Sequence, residues 1–135
     1  MTTRIFVNLP VKDLPRSVAF FTHLGYQFNP KFTNANATCM IVDSNIFVML
    51  LVEKFFQTFT PKTVVDAMQG TEVLVSLSCD SKEKVNDLVS KALAAGGTTP
   101  TPAKDHGTMY QHGFQDLDGH LWELIYMAPG ANDPP

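Results

Sequence analysis

Residues 4–10, Arg-Ile-Phe-Val-Asn-Leu-Pro, are β-branched and aromatic and close on a proline, which predicts a strand. Asp13-Leu14-Pro15 follows, an acidic N-cap with proline in the first helical turn. Val18, Phe21 and Leu24 then recur at helical spacing with Phe20 beside them, and Gly25 ends the helix. Residues 26–28 read as a short strand and 32–37 as a polar, turn-like stretch. Residues 38–42 and 46–52 read as two strands joined by the turn Asp43-Ser44-Asn45.

The second half repeats this order. Residues 72–79 predict a strand, and Asp80-Ser81 caps a helix with Val85, Leu88, Val89, Ala92 and Leu93 on one face. Gly96-Gly97 stops that helix, and residues 98–103 form a proline-containing edge segment. Residues 107–115 and 120–127 are strands joined by Asp116-Leu117-Asp118-Gly119. The pattern β-α-β-β-β therefore occurs twice, with Asp13 matching Asp80, Val18 matching Val85, Gly25 matching Gly96 and Asp43 matching Asp118. The second helix should be about one turn longer. Residues 53–70 are long for a connector; Phe55, Phe56 and Phe59 cluster there, Pro61 interrupts, and the stretch reads as two short helices, a cover or a lid. The expected organisation is one domain over residues 1–135. Its first module spans about 1–60, the connector about 53–70 and the second module about 71–128, with a frayed tail over 129–135.

Composition narrows the class without changing this picture. The chain has 135 residues, 44% apolar and 17% charged, which suits a globular domain with an adequate core and excludes overall disorder. The longest apolar run, residues 46–52, is far too short for a membrane span, and the opening Met-Thr-Thr-Arg does not resemble a signal peptide. A net charge of −3 and the lack of a basic stripe argue against nucleic acid as partner. Cys39 and Cys79 both sit in apolar runs and read as reduced core thiols. A cytoplasmic protein is expected. Asp116-Leu117-Asp118-Gly119 lacks the later bidentate Glu of a calcium loop and reads as a hairpin turn.

Two stretches carry a family resemblance. Residues 9–21, LPVKDLPRSVAFF, are similar to the opening V-x-D-L-x-x-S-x-x-F-Y of the vicinal oxygen chelate superfamily. Residues 114–124, FQDLDGHLWEL, are similar to its closing F-x-D-P-D-G-x-x-x-E-L. That superfamily includes glyoxalase I, extradiol dioxygenases and the fosfomycin and bleomycin resistance proteins, and the chain also looks like proteins labelled predicted lactoylglutathione lyases. The resemblance implies an α+β fold in which two βαβββ modules form curled mixed sheets around a shared cavity. It also implies a homodimer, an arrangement that would cover exposed edge strands.

The family's chemistry uses a divalent metal held by residues from four strands. The resemblance places those positions at Phe6, at Val48 or Met49, at Leu74, and at Glu123. Three of the four are apolar here, so no metal is expected at the usual site and no cofactor is implied. Asn8 shares the strand face of Phe6 but is a feeble ligand. By strand alternation, Trp122, Leu124 and Tyr126 should face the helix, and Leu121, Glu123 and Ile125 the other side. Tyr110 and His112 alternate in step, and with Glu123 they are the candidates for a rebuilt metal site or for hydrogen-bonding groups in an organic-ligand pocket.

Two functions follow. One is a metal-independent binder of a small, largely apolar or aromatic molecule with a donor or cationic group, as in the bleomycin resistance branch. Its ligand-binding residues would be Phe6, Asn8, Met49, Phe55, Phe56, Phe59, Leu74, Tyr110, His112 and Glu123. The other is a glyoxalase-type lyase or isomerase with Glu123 as its catalytic residue and a divalent metal rebuilt around His112 and Glu123.

Overall fold

The computed structural model describes residues 2–129. The chain falls into two units, residues 1–66 and residues 67–135, each built on a four-stranded mixed sheet. Met1 and residues 130–135, and with them most of the expected tail, lie outside the described residues.

The first unit runs β1 (Ile5–Val11), α1 (Leu14–His23), β2 (Gln27–Asn29), β3 (Ala37–Asp43), β4 (Ile46–Val52) and α2 (Glu53–Phe56). Its strand order is β1-β4-β3-β2, with β1 parallel to β4 and the other pairs antiparallel. The Asp13 side chain accepts the Arg16 N–H at 3.1 Å, the N-cap expected from the sequence. Beyond the other end of α1, Gly25 has φ +104°, a left-handed conformation that glycine adopts without a Cβ clash. Helix α1 buries Leu14, Ser17, Phe20 and Phe21, and beneath it Leu9, Val11, Met40, Val48 and Leu50 are 4% exposed or less.

The second unit runs β5 (Leu74–Ser78), α3 (Lys82–Ala94), β6 (Lys104–Asp105), β7 (Met109–Gln115) and β8 (Leu121–Met127). Its order, β5-β8-β7-β6, with β5 parallel to β8, repeats the first sheet strand for strand. Ser81 caps α3 by accepting the Lys84 N–H at 3.0 Å, and Gly96 repeats the φ of Gly25 at +103°. Helix α3 has 13 residues against 10 in α1. Val85, Leu88, Val89 and Ala92 are buried on it, over Phe114, Trp122 and Leu124. The Phe114 and Trp122 rings stack 6.1 Å apart.

Two local expectations are corrected. The connector forms α2 and one 3₁₀ turn, Gln57–Phe59, but no second helix over residues 64–68. Pro61 and the β-branched Thr60, Thr63, Val64 and Val65 oppose one. The Gln57 side chain instead holds a turn, donating to the carbonyls of Thr60 and Lys62 at 2.9 and 2.7 Å. The edge strand β6 is Lys104–Asp105, not residues 98–103, where only Thr98 makes a lone bridge to Gln115. Pro100 and Pro102 have no N–H to give a ladder. No helix among the described residues is long and apolar enough to cross a membrane.

Candidate functional site

Each sheet has one face under its main helix and one face turned away from it, and register decides which side chains share the latter. In the first unit Phe6 pairs with Phe47, and Asn8 with Met49. These four share the face away from α1, together with Cys39 and Ile41 of β3. Val48 pairs with Val7 on the α1 side and is 1% exposed. Met49, not Val48, is therefore the β4 residue that stands with Phe6. Helix α2 lies against β1 and β4. Phe55 meets Phe59 edge-on at 5.2 Å, and Phe59 is 69% exposed; Phe56 is partly buried in the same unit.

In the second unit Leu74 pairs with Leu121, Ser76 with Glu123 and Ser78 with Ile125. Across the hairpin, Gly113 pairs with Glu123 and Gln111 with Ile125. The face away from α3 thus carries Glu123 between Leu121 and Ile125, with Ser76 on one side and Gly113 on the other. Glu123 is partly buried, and its carboxylate has no hydrogen bond or ion pair among the described residues. Gly113 flanks it, and what the missing Cβ spares is the backbone of β8. A Cβ there would lie 3.4 Å from both Cδ and Oε2 of Glu123 and would collide with the Trp122 carbonyl oxygen.

What aims Glu123 is the residue before it. The Trp122 indole Nε1 donates to Asp116 Oδ2 at 3.0 Å, while the N–H groups of Asp118 and His120 donate to Asp116 Oδ1, both at 3.0 Å. Burial pushes the Asp116 carboxyl above the usual carboxylate range, against His120 and these three donors, which pull it down. With Trp122 pinned on the α3 side, strand alternation points Glu123 the other way.

Tyr110 and His112 are not part of this constellation. The Tyr110 hydroxyl donates to Asn86 Oδ1 of α3 at 2.6 Å, and Lys82 Nζ lies 5.7 Å over its ring. His112 Nε2 lies 2.9 Å from Thr99 Oγ1, whose hydroxyl donates to the Gly113 carbonyl at 2.8 Å. With that proton committed, the His112 Nε2–H donates to Thr99. Both residues occupy the α3 side, opposite Glu123, because even-numbered residues of β7 pair with even-numbered residues of β8. The expected site combining Tyr110 and His112 with Glu123 does not form, and a metal rebuilt around His112 and Glu123 has no common face to occupy.

The residues that do accompany Glu123 are Ser76, Gln111 and Gly113. A glycine inside a strand was the one sequence signal for them, since it often marks a close approach. Phe47, stacked on Phe6, was hidden in the uniformly apolar run of β4.

A divalent metal does not fit the positions the resemblance assigns it. Phe6 and Leu74 offer hydrocarbon and Met49 a soft thioether, which leaves Glu123 as the one hard donor. Among the described residues, no three His, Cys, Asp or Glu side chains gather into a metal-ligating group.

Residues 3–43 match the family described as Bleomycin resistance protein-like N-terminal. No curated protein matches the sequence. Among solved structures, the hypothetical protein SA1046 from S. aureus is 28% identical, with 93% of this chain and 94% of that one covered and a TM-score of 0.78. A glyoxalase/bleomycin resistance protein/dioxygenase family enzyme from Burkholderia phytofirmans PsJN is 18% identical over 93% and 99% of the two chains, with a TM-score of 0.78. The fosfomycin resistance protein FosX from Listeria monocytogenes is 18% identical over 96% of each chain, at 0.69. In fold across its length, and in sequence across residues 3–43, the chain is similar to the vicinal oxygen chelate superfamily of glyoxalases, bleomycin resistance proteins and dioxygenases.

Proposed function

We propose that the protein binds a small, largely apolar or aromatic molecule carrying a cationic or hydrogen-bond-donating group, without the metal of its catalytic relatives. The observation that carries this reading is Glu123: a partly buried carboxylate with no hydrogen bond or ion pair among the described residues, framed by Leu121 and Ile125 and flanked by Ser76 and Gly113. A carboxylate so placed has lost part of its hydration and gained no partner, and a ligand ammonium or amidinium would supply one. Leu74, Leu121 and Ile125 offer apolar surface around that contact. Two free thiols, one of them buried, suit a reducing compartment, and we place the protein in the cytoplasm. We also assign it a homodimeric state. Strands β1 and β5 are sheet edges, and Ile5, Phe6 and Leu74 on them, with Val73 just before β5, are all about half exposed.

The test is a thermal-shift and calorimetric panel of aromatic amines and amidines on the wild type, Glu123→Gln and Glu123→Leu. The expected result is stabilisation of the wild type by a cationic member and about tenfold weaker binding to Glu123→Gln, equivalent to about 1.4 kcal/mol, with both variants folded. If no member shifts the wild type and Glu123→Leu melts higher, the carboxylate is an unpaired relic and the reading falls.

A further inference from the structure

Met68 lies outside the helices and strands of the second unit, in a turn over residues 67–69, and two contacts hold it there. The β7–β8 turn closes on its backbone: a Cβ on Gly119 would stand 2.6 Å from Met68 N and from the Ala67 carbonyl carbon. The Gln115 Nε2 donates to Met68 Sδ at 3.5 Å. Gln115 pairs with Leu121, so it stands on the face that carries Glu123, one alternation beyond Gly113. The thioether therefore sits at the Leu121 end of that face, tied to β7 and two strands in from the β5 edge. Met68 is 48% exposed, whereas Met40 is fully buried and Met49 and Met109 are partly buried.

We infer that Met68 is a site of reversible oxidation by hydrogen peroxide, and that Gln115 directs the reaction to one sulfoxide epimer. A thioether sulfur carries two lone pairs. One accepts the Gln115 N–H and is turned toward the protein, so the oxidant meets the other. That pair attacks one peroxide oxygen, the S–O bond forms as the O–O bond breaks, and the departing hydroxide leaves with the second proton as water. Sulfur gives up two electrons and the peroxide takes them. Because the oxygen enters from one side, the new stereocentre at sulfur has mainly one hand. The reductases that reverse the reaction each accept a single epimer, so one of them alone restores this residue. Oxidation thus turns a weak acceptor on an apolar side chain into a polar S–O group at the end of the Glu123 face. The inference stands on the geometry of Met68 and Gln115 and is independent of what that face binds.

The test treats the folded full chain with limiting hydrogen peroxide and quantifies each methionine by peptide mass spectrometry. Met68 sulfoxide is expected to form ahead of the sulfoxides of Met40, Met49 and Met109, and that order should vanish in denaturant. Portions of the oxidised chain, digested to peptides, are then exposed separately to the two methionine sulfoxide reductases, one specific for each epimer. One enzyme is expected to restore about fivefold more Met68 than the other, the selectivity that one hydrogen bond to sulfur would give. Gln115→Leu, which removes the donor, should oxidise at Met68 about threefold faster and give the two epimers in nearly equal amounts. Gln115→Glu, which keeps the length of the side chain but has no N–H to donate, should behave the same way and serves if the leucine variant folds poorly. Native oxidation of Met68 no faster than that of Met109 would overturn the inference. So would an even epimer mixture from the wild type, whatever the variants do, or an excess of one epimer that persists in a folded Gln115 variant.

Discussion

Asp116 is the perturbation that tests how the Glu123 face is aimed. It is 4% exposed, and three N–H groups converge on its two oxygens at 3.0 Å. In Asp116→Ala the indole N–H of Trp122, a side chain only 1% exposed, loses its acceptor where water cannot replace it. A buried donor left alone costs about 1–3 kcal/mol, and the two turn N–H groups, nearer the surface, about 0.5–1 kcal/mol each. The sum is about 3 kcal/mol, which lowers the Tm of a chain this long by about 10 °C. Asp116→Asn keeps one carbonyl oxygen for the two backbone donors but turns an amide N–H₂ toward the indole N–H, so it should lose about 1–2 kcal/mol.

The pH dependence has a definite sign. Burial raises the folded-state value of Asp116 above the ~3.9 of an unfolded Asp, so the folded chain holds this proton more tightly. The stability it contributes is therefore fully present below about pH 4 and is lost as pH rises through the raised folded value. Asn does not titrate, so the deficit of Asp116→Asn should be larger in acid than at neutral pH. Trp122 is the chain's one tryptophan and sits in the second unit, so urea titrations followed by its fluorescence report that unit directly. An Asn variant as stable as the wild type at neutral pH, or a deficit that grows between about pH 4 and neutrality, would refute the account.

Thiol reactivity gives a second check. Burial raises both cysteines, and Cys39 is 2% exposed, so a thiol reagent at neutral pH should label Cys79 slowly, Cys39 more slowly still, and both rapidly in denaturant; native labelling of Cys39 at the rate of a free thiol would contradict this. Sedimentation at micromolar concentration should give twice the 14.9 kDa chain mass, and a 14.9 kDa species would remove the dimer proposed from the exposed edges β1 and β5.

The fold was legible because its punctuation is local. Asp13 and Ser81 each take the amide three residues on, and Gly25 and Gly96 end their helices at nearly equal positive φ. Those signals mark both modules without long-range knowledge. Face assignment within β8 was legible too, since Trp122 and Leu124 are buried and alternate with Leu121, Glu123 and Ile125. The relation between β7 and β8 was not. Alternation correctly put Tyr110 and His112 on one face, but which face depends on register across the Asp116–Gly119 turn, where a slip of one residue exchanges the faces. The three bonds to Asp116 fix that register; the sequence marks the turn but not which groups its first side chain holds. The choice between Val48 and Met49 was open for a related reason: β4 is apolar at every position, so it has no period to read.

The metal question turns on the same register. Of the four positions that the resemblance assigns to ligands, two stand on each unit's sheet: Phe6 and Met49 share one face of the first, and Leu74 and Glu123 share one face of the second. Three of the four carry no hard donor, so no rotation of a strand restores a ligand set. A complete structural zinc set is worth about 10–16 kcal/mol. One carboxylate retains little of that, and His112, the nearest imidazole along β7, is spent on Thr99 on the other side of the sheet. The purified full-length protein is therefore expected to hold no stoichiometric divalent metal after dialysis, and a chelator should leave its Tm unchanged. Elemental analysis beside a melting curve decides it. One Zn²⁺ or Ni²⁺ per chain surviving dialysis would contradict the donor inventory of these four positions.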